Sequence, residues 1–518
     1  MTRSRNRALR TTLISVAVAL SVSLSGCVSP FPFPTSNQPI KPSTPTGDEV
    51  SPELQPFYSQ VVKWTKCEGT FQCATVKAPM DWNDPARSKI ELALIRAQAP
   101  GNPKGSLLVN PGGPGGSGYD FVRDSLDYAV GAKLIAQYDI VGFDPRGVNK
   151  SSAVKCYDAN EMDSYLFDIQ PDAGVPGSDS WLNMMDQQSE DFGKACLKNT
   201  GELLGFVDTV SAARDLDLLR AVLGDKKLNY LGYSYGTFLG ATYASLYPEK
   251  TGHLVLDGAL DPATTDFDVT KTQAVGFEKA LRAYIADCLT GSTCPFKGTV
   301  DESMAKVSKF LGQLEASPLR ASDGRFLGSA VMFYAIILPL YNKDNWPILN
   351  DVFSDSFSGD PDYAFTIADY YFGRNPNGTY NDNSFEAFVA INCLDYMSTS
   401  TRGTLEAEAK ELAAAAPVFG PQMSWGGTSC DKWPFQSTRV REPIAAQGSA
   451  PILVVGTTGD PATPYQWAKN LASQLENGHL ITYDGEGHTA YNGDSACVNN
   501  AVEDFFLKDI VPAKDPRC

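Results

Sequence analysis

Short apolar runs alternate along the chain with longer segments whose apolar residues recur at helical spacing. Residues 208–224, for example, space leucines and valines as a helix does and end in a glycine. Seven runs instead have the length and the apolar or aromatic content of buried strands, and they begin at Ile90, Gly105, Tyr138, Lys227, Thr251, Ala450 and His479. This alternation predicts an α/β protein with a mostly parallel sheet flanked by helices.

The strand rhythm stops in the second half of the chain, where helical patterns replace it. Residues 273–288 and 300–316 carry two such patterns, and the loops around them are rich in aromatic residues. We therefore expect a helical cap lobe over residues 263–449, inserted between two late strands and lying over the carboxyl edge of the sheet. The sheet domain is then divided into residues 56–262 and 450–518.

The amino terminus has the features of an export signal. It contains four arginines and no acidic residue, then an apolar run, and then Leu24-Ser25-Gly26-Cys27. These last residues resemble a bacterial lipobox, so we expect residues 1–27 to be a signal peptide and Cys27 to become the lipidated first residue. An uncleaved membrane helix is the alternative, but the apolar run is short for a membrane span.

The stretch after Cys27 is rich in proline, serine and threonine, a composition that cannot form a packed element. Residues 28–55 are accordingly expected to be an extended tether. Signal, lipobox and tether together predict an exported cell-envelope lipoprotein, anchored to the membrane through Cys27 on the outer face of the cytoplasmic membrane.

Charge and composition exclude several classes of protein. The formal net charge is −17 and no basic cluster stands out, so nucleic acid is not expected as a partner. Only three histidines occur, His253, His479 and His488, and there is no Cys-x-x-Cys pair. Neither a metal site nor a cofactor is therefore expected.

Eleven cysteines are many for a cytosolic enzyme. Without Cys27 ten remain, an even number in a chain expected to be exported, where disulfides persist. The sequence does not fix their connectivity, but proximity along the chain suggests Cys67–Cys73, Cys156–Cys196, Cys288–Cys294, Cys393–Cys430 and Cys497–Cys518. A catalytic cysteine is the competing interpretation, yet no cysteine lies at a recognisable nucleophile turn.

One serine is framed by two glycines where a strand pattern meets a helical one. The sequence Gly-Tyr-Ser-Tyr-Gly, from Gly232 to Gly236, places Ser234 at that junction. A sharp strand-to-helix turn needs small neighbours, because a Cβ there would collide with the adjoining strand or helix. Ser234 is therefore the predicted nucleophile, and a serine that only caps the helix is the alternative.

A serine hydroxyl is a poor nucleophile at neutral pH, so it needs a base and an acid to orient that base. His488 lies on a glycine-rich loop after the last predicted strand, whereas the other two histidines begin strand patterns. The acid is expected at the end of the preceding strand, where Asp460 lies. Asp484 is the alternative, but it shares a strand and loop with the histidine. Ser234, Asp460 and His488 then follow one another in the order found in α/β-hydrolases.

Two backbone amides are expected to bind the oxyanion that forms during acyl transfer. One is that of Tyr235, the residue after the predicted nucleophile, and the other belongs to the glycine-rich loop over residues 110–118. Gly113 is our choice in that loop. A phosphate cradle is the alternative interpretation, but no Gly-Lys-Ser/Thr follows.

Several stretches together resemble the α/β-hydrolase peptidases of the prolyl aminopeptidase type, in particular the exported actinobacterial tripeptidyl aminopeptidases and their lipoprotein relatives. The resemblance runs from about Cys67 to Cys518 and is carried by NPGGPGGSG, DIVGFDPRGVNKSS, AARDLDLLR, YLGYSYGTFLGATYA, VLDGALDP, AINCLDY, CDKWPF, GDPATPYQWA and GEGHTAY. It implies the α/β-hydrolase fold and a serine enzyme that removes short peptides from free amino termini through an acyl-enzyme.

The resemblance also implies that acidic residues in or near the cap lobe meet the ammonium group of the substrate. Asp395, in the AINCLDY stretch, is the acid best placed by motif, and a structural aspartate beside a disulfide is the alternative. Pro111 stands where the intracellular prolyl aminopeptidases have histidine, so a strict proline preference is not implied.

Two other functions stay open on the sequence. A carboxylesterase that acts on acyl esters in the cell envelope would use the same triad, with an apolar tunnel in place of an acidic cavity. A non-catalytic lipoprotein that binds envelope components would need none of the triad residues. The expected partner is thus a peptide or an ester, with no cofactor.

Overall fold

A computed structural model describes residues 39–170, 174–398 and 400–518. The predicted signal peptide, Cys27 and the first part of the predicted tether lie outside these residues. Within them, no helix is both long enough and apolar enough to cross a membrane.

Nine of the described strands form one sheet. The strands are β1 (Thr65–Cys67), β2 (Phe71–Pro79), β3 (Lys89–Ala97), β4 (Ser106–Asn110), β5 (Asp139–Phe143), β6 (Leu228–Tyr233), β7 (Thr251–Asp257), β8 (Leu319–Arg320), β9 (Phe326–Leu327), β10 (Ile452–Gly459) and β11 (Gly478–Glu486). The sheet order is β1-β2-β3-β5-β4-β6-β7-β10-β11, while β8 and β9 form a separate pair. Neighbours from β5 to β11 run parallel and the first three pairings are antiparallel. The predicted mostly parallel sheet is confirmed.

Helices cover both faces of the sheet and form the cap. They are α1 (Gln55–Tyr58), α2 (Gly118–Ala129), α3 (Ala132–Ile135), α4 (Ala159–Phe167), α5 (Asp179–Thr200), α6 (Thr209–Leu223), α7 (Tyr235–Leu246), α8 (Asp266–Cys288), α9 (Val300–Ala316), α10 (Ser329–Leu340), α11 (Trp346–Ser358), α12 (Asp362–Tyr371), α13 (Ser384–Asp395), α14 (Arg402–Ala415), α15 (Gly420–Met423), α16 (Thr428–Asp431), α17 (Tyr465–Gln474) and α18 (Ala496–Lys508). Short 3₁₀ turns occupy Gly201–Gly205, Pro248–Lys250 and Lys343–Asn345.

The central strands are buried on both faces, which explains why they appear in the sequence as continuous apolar runs. Every residue of β4 and β5 is buried, and in β6 only Asn229 is partly exposed. Residues of α2, α3 and α18 share a core with one face of the sheet, and residues of α6, α7 and α17 share a core with the other. The carboxyl ends of these strands therefore meet at one edge, where loops carry the candidate site.

The helices α8 to α16 lie between β7 and β10 in the chain, as the cap-lobe prediction expects. Most of them contribute to a hydrophobic core of their own, in which Phe277, Phe353 and Phe419 are buried. A separate core of this size supports a folded lobe rather than a long irregular excursion.

Two helices outside the predicted lobe also join it. In α4, Asp163 forms an ion pair with Arg374 at 2.7 Å, and in α5 the ring of Phe192 lies 6.4 Å from that of Trp433. Both helices lie within residues 56–262, which the sequence pattern predicts to belong to the sheet domain. A helical pattern directly after a strand does not indicate which lobe the helix will cover, because that depends on tertiary contacts.

The described part of the predicted tether is docked rather than extended away. The amide of Ser43 donates to the carbonyl of Val62 at 3.0 Å, and that of Thr46 donates to the carbonyl of Ala221 at 2.9 Å. Asp48 forms an ion pair at 2.6 Å with Arg220, whose side chain is buried. Composition alone excludes a helix or strand here, but it does not exclude single backbone contacts with a neighbouring domain.

All five suggested disulfides are present in the structure. They join the cysteine pairs Cys67–Cys73, Cys156–Cys196, Cys288–Cys294, Cys393–Cys430 and Cys497–Cys518. The connectivity suggested by proximity along the chain is confirmed, and the ten described cysteines leave no free thiol for the alternative catalytic role.

Candidate active site

Ser234 occupies a strained turn between β6 and α7. Its backbone has φ 55° and ψ −124°, a conformation that residues with a side chain rarely adopt. A Cβ at Gly232 would lie 2.5 Å from the carbonyl oxygen of Gly236, so only glycine fits at the strand side of the turn. The Ser234 side chain makes no capping hydrogen bond to the helix, so the interpretation of this serine as a helix cap is wrong.

The glycine-rich loop after β4 lies directly against this turn. Asn110, the last residue of β4, pairs with Gly232 in the sheet. A Cβ at Gly112, where φ is +97°, would lie 2.8 Å from the Cβ of Ser234 and 3.0 Å from the amide nitrogen of Tyr235. Gly113 follows with φ +111°. Among the described residues, neither the Gly113 nor the Tyr235 amide has a hydrogen-bond acceptor, which leaves both free for an oxyanion.

His488 and Asp460 form a close pair at the ends of neighbouring strands. The imidazole Nδ1 lies 3.0 Å and 2.9 Å from the two carboxylate oxygens of Asp460. Asp460 directly follows β10 and is buried, and it also accepts from the amides of Ala462 at 2.9 Å and Thr463 at 2.8 Å. Donors on both sides fix the carboxylate in the orientation that holds the imidazole.

The remaining histidine and acid candidates lie elsewhere. Asp484 forms an ion pair with Arg517 at 2.5 Å near the surface, so it is not the partner of His488. His253 lies near the start of β7, at the opposite edge of the sheet from His488, and pairs with Asp509 at 2.7 Å.

The environment of His488 raises the proton affinity of its imidazole. Burial lowers the pKa of the imidazole, but the charge and hydrogen bond of Asp460, together with the charge of Asp257, outweigh that effect and raise the pKa above its usual value. The imidazole Nε2 is buried and has no hydrogen-bond partner among the described residues. It is therefore free to accept a proton from a nucleophile.

Ser234 and His488 approach each other around one glycine. The Ser234 amide donates to the carbonyl of Asp257 at 2.9 Å, and a Cβ at the next residue, Gly258, would lie 3.0 Å from Cε1 of His488. No hydrogen bond joins the Ser234 hydroxyl to the imidazole in the described structure. Catalytic hydrogen bonds are often long without substrate and tighten when it binds.

Two residues of this site were missed in the sequence. The Thr463 hydroxyl donates to Asp460 at 2.9 Å and lies 3.2 Å from Nδ1 of His488. Asp257, the last residue of β7, accepts hydrogen bonds from the amides of Ala490 and Tyr491. Two sequence signals could have identified them: Asp257 lies at the end of a predicted strand, and Thr463 lies three residues after the predicted acid.

Asp395, which the resemblance favours for the substrate's ammonium group and for which a structural role is the alternative, has a buried setting. It is only 3% exposed, and its two oxygens accept from the amide of Thr209, at 2.9 Å, and from the Thr209 hydroxyl. The Thr209 hydroxyl in turn contacts the hydroxyl of Tyr235. Burial first, and the charge of Asp208, raise the pKa of Asp395 to about 6, although the bonds from Thr209 oppose this. The contacts show a carboxylate engaged inside the protein, beside the residue that follows Ser234.

The cap lobe touches the site from two directions. The carbonyl of Tyr341, at the end of α10, accepts from the His488 amide at 2.7 Å, and the two rings lie 5.4 Å apart. A Cβ at Gly115 in the glycine-rich loop would lie 2.9 Å from the amide nitrogen of Phe388 in α13. Phe388 is 44% exposed. The lobe therefore covers the carboxyl edge of the sheet, as expected.

Fold and site define a serine hydrolase of the α/β type, and comparisons with known proteins agree. Residues 105–323 match the family model described as alpha/beta hydrolase fold, and residues 416–518 match the model described as TAP-like protein. The chain belongs to this family of α/β-hydrolases with a TAP-like carboxy-terminal part. The resemblance found in the sequence is confirmed.

Relatives in this family carry several names. The chain is 34% identical to serine protease Hip1 of Mycobacterium tuberculosis (strain H37Rv) over 486 residues, which cover 90% of this chain and 92% of that protein. It is 33% identical to carboxylesterase B of the same strain, with 99% of each chain covered. It is 29% identical to the tripeptidyl aminopeptidase of Streptomyces lividans, with 88% of this chain and 86% of that protein covered.

Solved structures similar to this chain have low sequence identity to it. The structure of Rv0554 from Mycobacterium tuberculosis is 16% identical and covers 80% of this chain and 90% of its own, with a TM-score of 0.33. Proline iminopeptidase of Mycobacterium smegmatis is 14% identical, with 80% of this chain and 91% of that chain covered and a TM-score of 0.29.

Proposed function

We propose that this protein is a cell-envelope serine peptidase that removes short peptides from free amino termini. The observation that carries the proposal is the His488 imidazole, which Asp460 holds through Nδ1 and whose buried Nε2 has no hydrogen-bond partner in the part of the chain that the structure describes. It lies beside the strained turn that presents Ser234. A binding protein has no need of this arrangement, so the non-catalytic alternative loses its support.

In the proposed reaction Ser234 attacks the scissile carbonyl and its proton passes to Nε2 of His488. Asp460 holds the imidazole by Nδ1–H and stabilises the imidazolium that forms. The amides of Gly113 and Tyr235 bind the oxyanion of the tetrahedral intermediate. His488 then gives the proton to the leaving amine, and an acyl-enzyme on Ser234 remains. Water, deprotonated by the same imidazole, hydrolyses that ester and restores the serine.

The peptidase assignment draws on the relatives named serine protease and tripeptidyl aminopeptidase. A carboxylesterase is the second candidate, because a relative of similar identity is named carboxylesterase B. Both activities use the same triad. They differ in whether the cavity under the cap receives an ammonium group or an acyl chain.

The test compares free and N-acetylated forms of the same tripeptide, each linked to aminomethylcoumarin. Acetylation removes a charge-assisted contact from a partly desolvated cavity, so we expect kcat/KM to fall at least about tenfold. A matched p-nitrophenyl ester series with short and long acyl chains is measured beside it. Equal cleavage of both peptides would contradict the aminopeptidase proposal, and efficient cleavage confined to esters would favour the carboxylesterase.

We also propose that the protein is attached to the membrane through Cys27, which lies outside the described residues. A cell grown with a labelled fatty acid should yield labelled protein, and Cys27→Ala should lose the label. Ser25→Ala is the matched control and should keep it. A Cys27→Ala protein that is still acylated and processed would contradict the lipobox interpretation.

A further inference from the structure

A second buried carboxylate lies between the elements that carry the three candidate catalytic residues. Asp257 ends β7, and in the sheet it pairs with Tyr233 of β6 on one side and Val455 of β10 on the other. The strands β6 and β10 lead to Ser234 and to Asp460, respectively. Asp257 is completely buried.

The contacts of Asp257 reach both the nucleophile turn and the histidine loop. Its backbone carbonyl accepts from the Ser234 amide at 2.9 Å. Its carboxylate accepts from the amide of Ala490 at 3.1 and 3.0 Å and from that of Tyr491 at 2.7 Å. These two amides come directly after the His488-Thr489 pair, so one side chain fixes the loop that carries the imidazole. In the described structure Asp257 makes no hydrogen bond to the imidazole, and Nδ1 of the ring contacts Asp460 instead.

The charge of Asp257 also acts on the imidazole. His488, Asp460, Tyr128 and Tyr233 are the titratable side chains that face this carboxylate. Burial raises the pKa of Asp257 to about 6, the two amides and His488 oppose that rise, and the charge of Asp460 adds to it. The negative charge of the ionised Asp257 carboxylate favours a protonated His488.

We infer that Asp257 is a positioning residue for the reaction: it holds the histidine loop through two amides and stabilises the imidazolium through its charge. This inference deepens the proposed function and rests on its assignment of His488 as the base. The imidazolium exists only after Ser234 has given up its proton, so the charge acts mainly on the transition state and less on substrate binding. If Asp257 only held the loop, asparagine could replace it without a change in the proton affinity of His488, because the asparagine amide oxygen still accepts from the two backbone amides.

The test is the pH dependence of kcat/KM for p-nitrophenyl acetate in Asp257→Asn. Loss of the negative charge makes the imidazole easier to deprotonate, so the acidic limb should move to lower pH by about half a pH unit or more. We also expect kcat at pH 7.5 to fall at least about tenfold, with KM within about twofold. An unchanged acidic limb in a folded Asp257→Asn protein would overturn the inference.

Asp225→Asn is the matched control. Asp225 also accepts a backbone hydrogen bond, from the Ser106 amide at 3.2 Å, and burial also raises its pKa. It lies at the amino-terminal end of the strands, away from the site. Its substitution should leave the acidic limb and kcat unchanged, and a shift equal to that of Asp257→Asn would count against a specific role for Asp257.

A measurement on the wild-type protein covers the case in which Asp257→Asn does not fold. With only three histidines in the chain, imidazole resonances of protein labelled at histidine can be assigned by single His→Gln variants. The pKa of His488 read from these resonances should lie above the usual value of about 6.5, because the carboxylates around the imidazole favour its protonated form. A pKa at or below that value would overturn the inference.

Failure of this inference is distinguishable from failure of the proposed function. If His488→Ala keeps its activity, His488 is not the base and the proposed function fails. An inactive His488→Ala together with an unaltered acidic limb in Asp257→Asn would contradict only the role of Asp257.

Discussion

Asp395 of α13 holds the side chain of Tyr235, the residue after Ser234, through the hydroxyl of Thr209. Thr209 begins α6 and is completely buried, so these contacts connect the cap lobe, α6 and the nucleophile turn inside the protein. The Tyr235 amide is a proposed oxyanion donor. We therefore expect Asp395, for which the sequence left a substrate-binding and a structural role open, to help position that amide.

Thr209→Val should separate this positioning effect from packing, because valine keeps the shape of threonine and removes only the hydroxyl. We expect kcat for p-nitrophenyl acetate to fall about tenfold, since a displaced oxyanion donor loses part of its effect. Thr209→Ser keeps the hydroxyl and should retain most of the activity. Equal activity of the two variants would show that the hydroxyl does not position Tyr235.

Asp395→Asn should lower kcat for free and N-acetylated peptides by the same factor. This follows from the buried contacts of Asp395 with Thr209, which leave the carboxylate engaged within the protein. The ratio of kcat/KM for the free peptide to that for the acetylated peptide is the measurement. A ratio that collapses toward one in Asp395→Asn would show instead that this acid binds the substrate amine.

Patterns that are local in the chain predicted most of the fold and much of the candidate site. Ser234 and Asp460 follow buried apolar strands, and His488 follows the partly buried edge strand β11, so the end of a strand locates each of them in three dimensions. The five disulfides could be paired because each joins two cysteines with no other cysteine between them in the sequence. What the sequence did not reveal depends on contacts between distant segments.

Asp395 illustrates that limit. A carboxylate beside a cysteine near the end of a cap helix is compatible with an open cavity or with an internal hydrogen bond. Only the approach of Thr209, 186 residues away in the chain, decides between them. Asp257 was overlooked for a related reason, because the amides it binds are 233 and 234 residues away and carry no mark in the sequence.

Several buried acids should make the folded state more stable at mildly acidic pH than at pH 8. Burial raises the pKa of Glu386 to about 7 and that of Asp144 to about 6, as it does for Asp257 and Asp395. The folded chain thus binds more protons than the unfolded chain between the ordinary carboxyl range and about pH 7. Stability falls as pH rises through that window. We expect a higher Tm at pH 5.5 than at pH 8.

Glu386→Gln should remove part of this dependence. Glutamine can still accept the hydrogen bond from the Cys156 amide, at 3.1 Å in the wild type, but it carries no charge to be buried. Relative to wild type, the free energy of unfolding of the variant should rise by up to about 2 kcal/mol on going from pH 5.5 to pH 8. The exposed Glu249→Gln is the control. A pH dependence of Tm as steep in Glu386→Gln as in wild type would refute the prediction.

Gly112→Ala should abolish activity through the nucleophile turn. The added Cβ would lie 2.5 Å from the carbonyl oxygen of Tyr233 and 2.8 Å from the Cβ of Ser234, at a residue whose φ is +97°. The loop that carries Gly113 must then move away, and we expect kcat/KM to fall at least about a hundredfold. Gly403→Ala, where the added carbon meets no described atom within 4 Å, should stay fully active. Near-normal activity of Gly112→Ala would show that this loop does not form the oxyanion site.

The central claim is that Ser234 is the nucleophile of a serine hydrolase, and the most direct measurement is the site of reaction with a fluorophosphonate. The wild-type protein is labelled, digested and mapped by mass spectrometry, with Ser234→Ala and its circular dichroism spectrum as the control for folding. We predict a single adduct on Ser234, and none on the folded Ser234→Ala protein. An adduct on another residue, or labelling that persists in Ser234→Ala, would contradict the account.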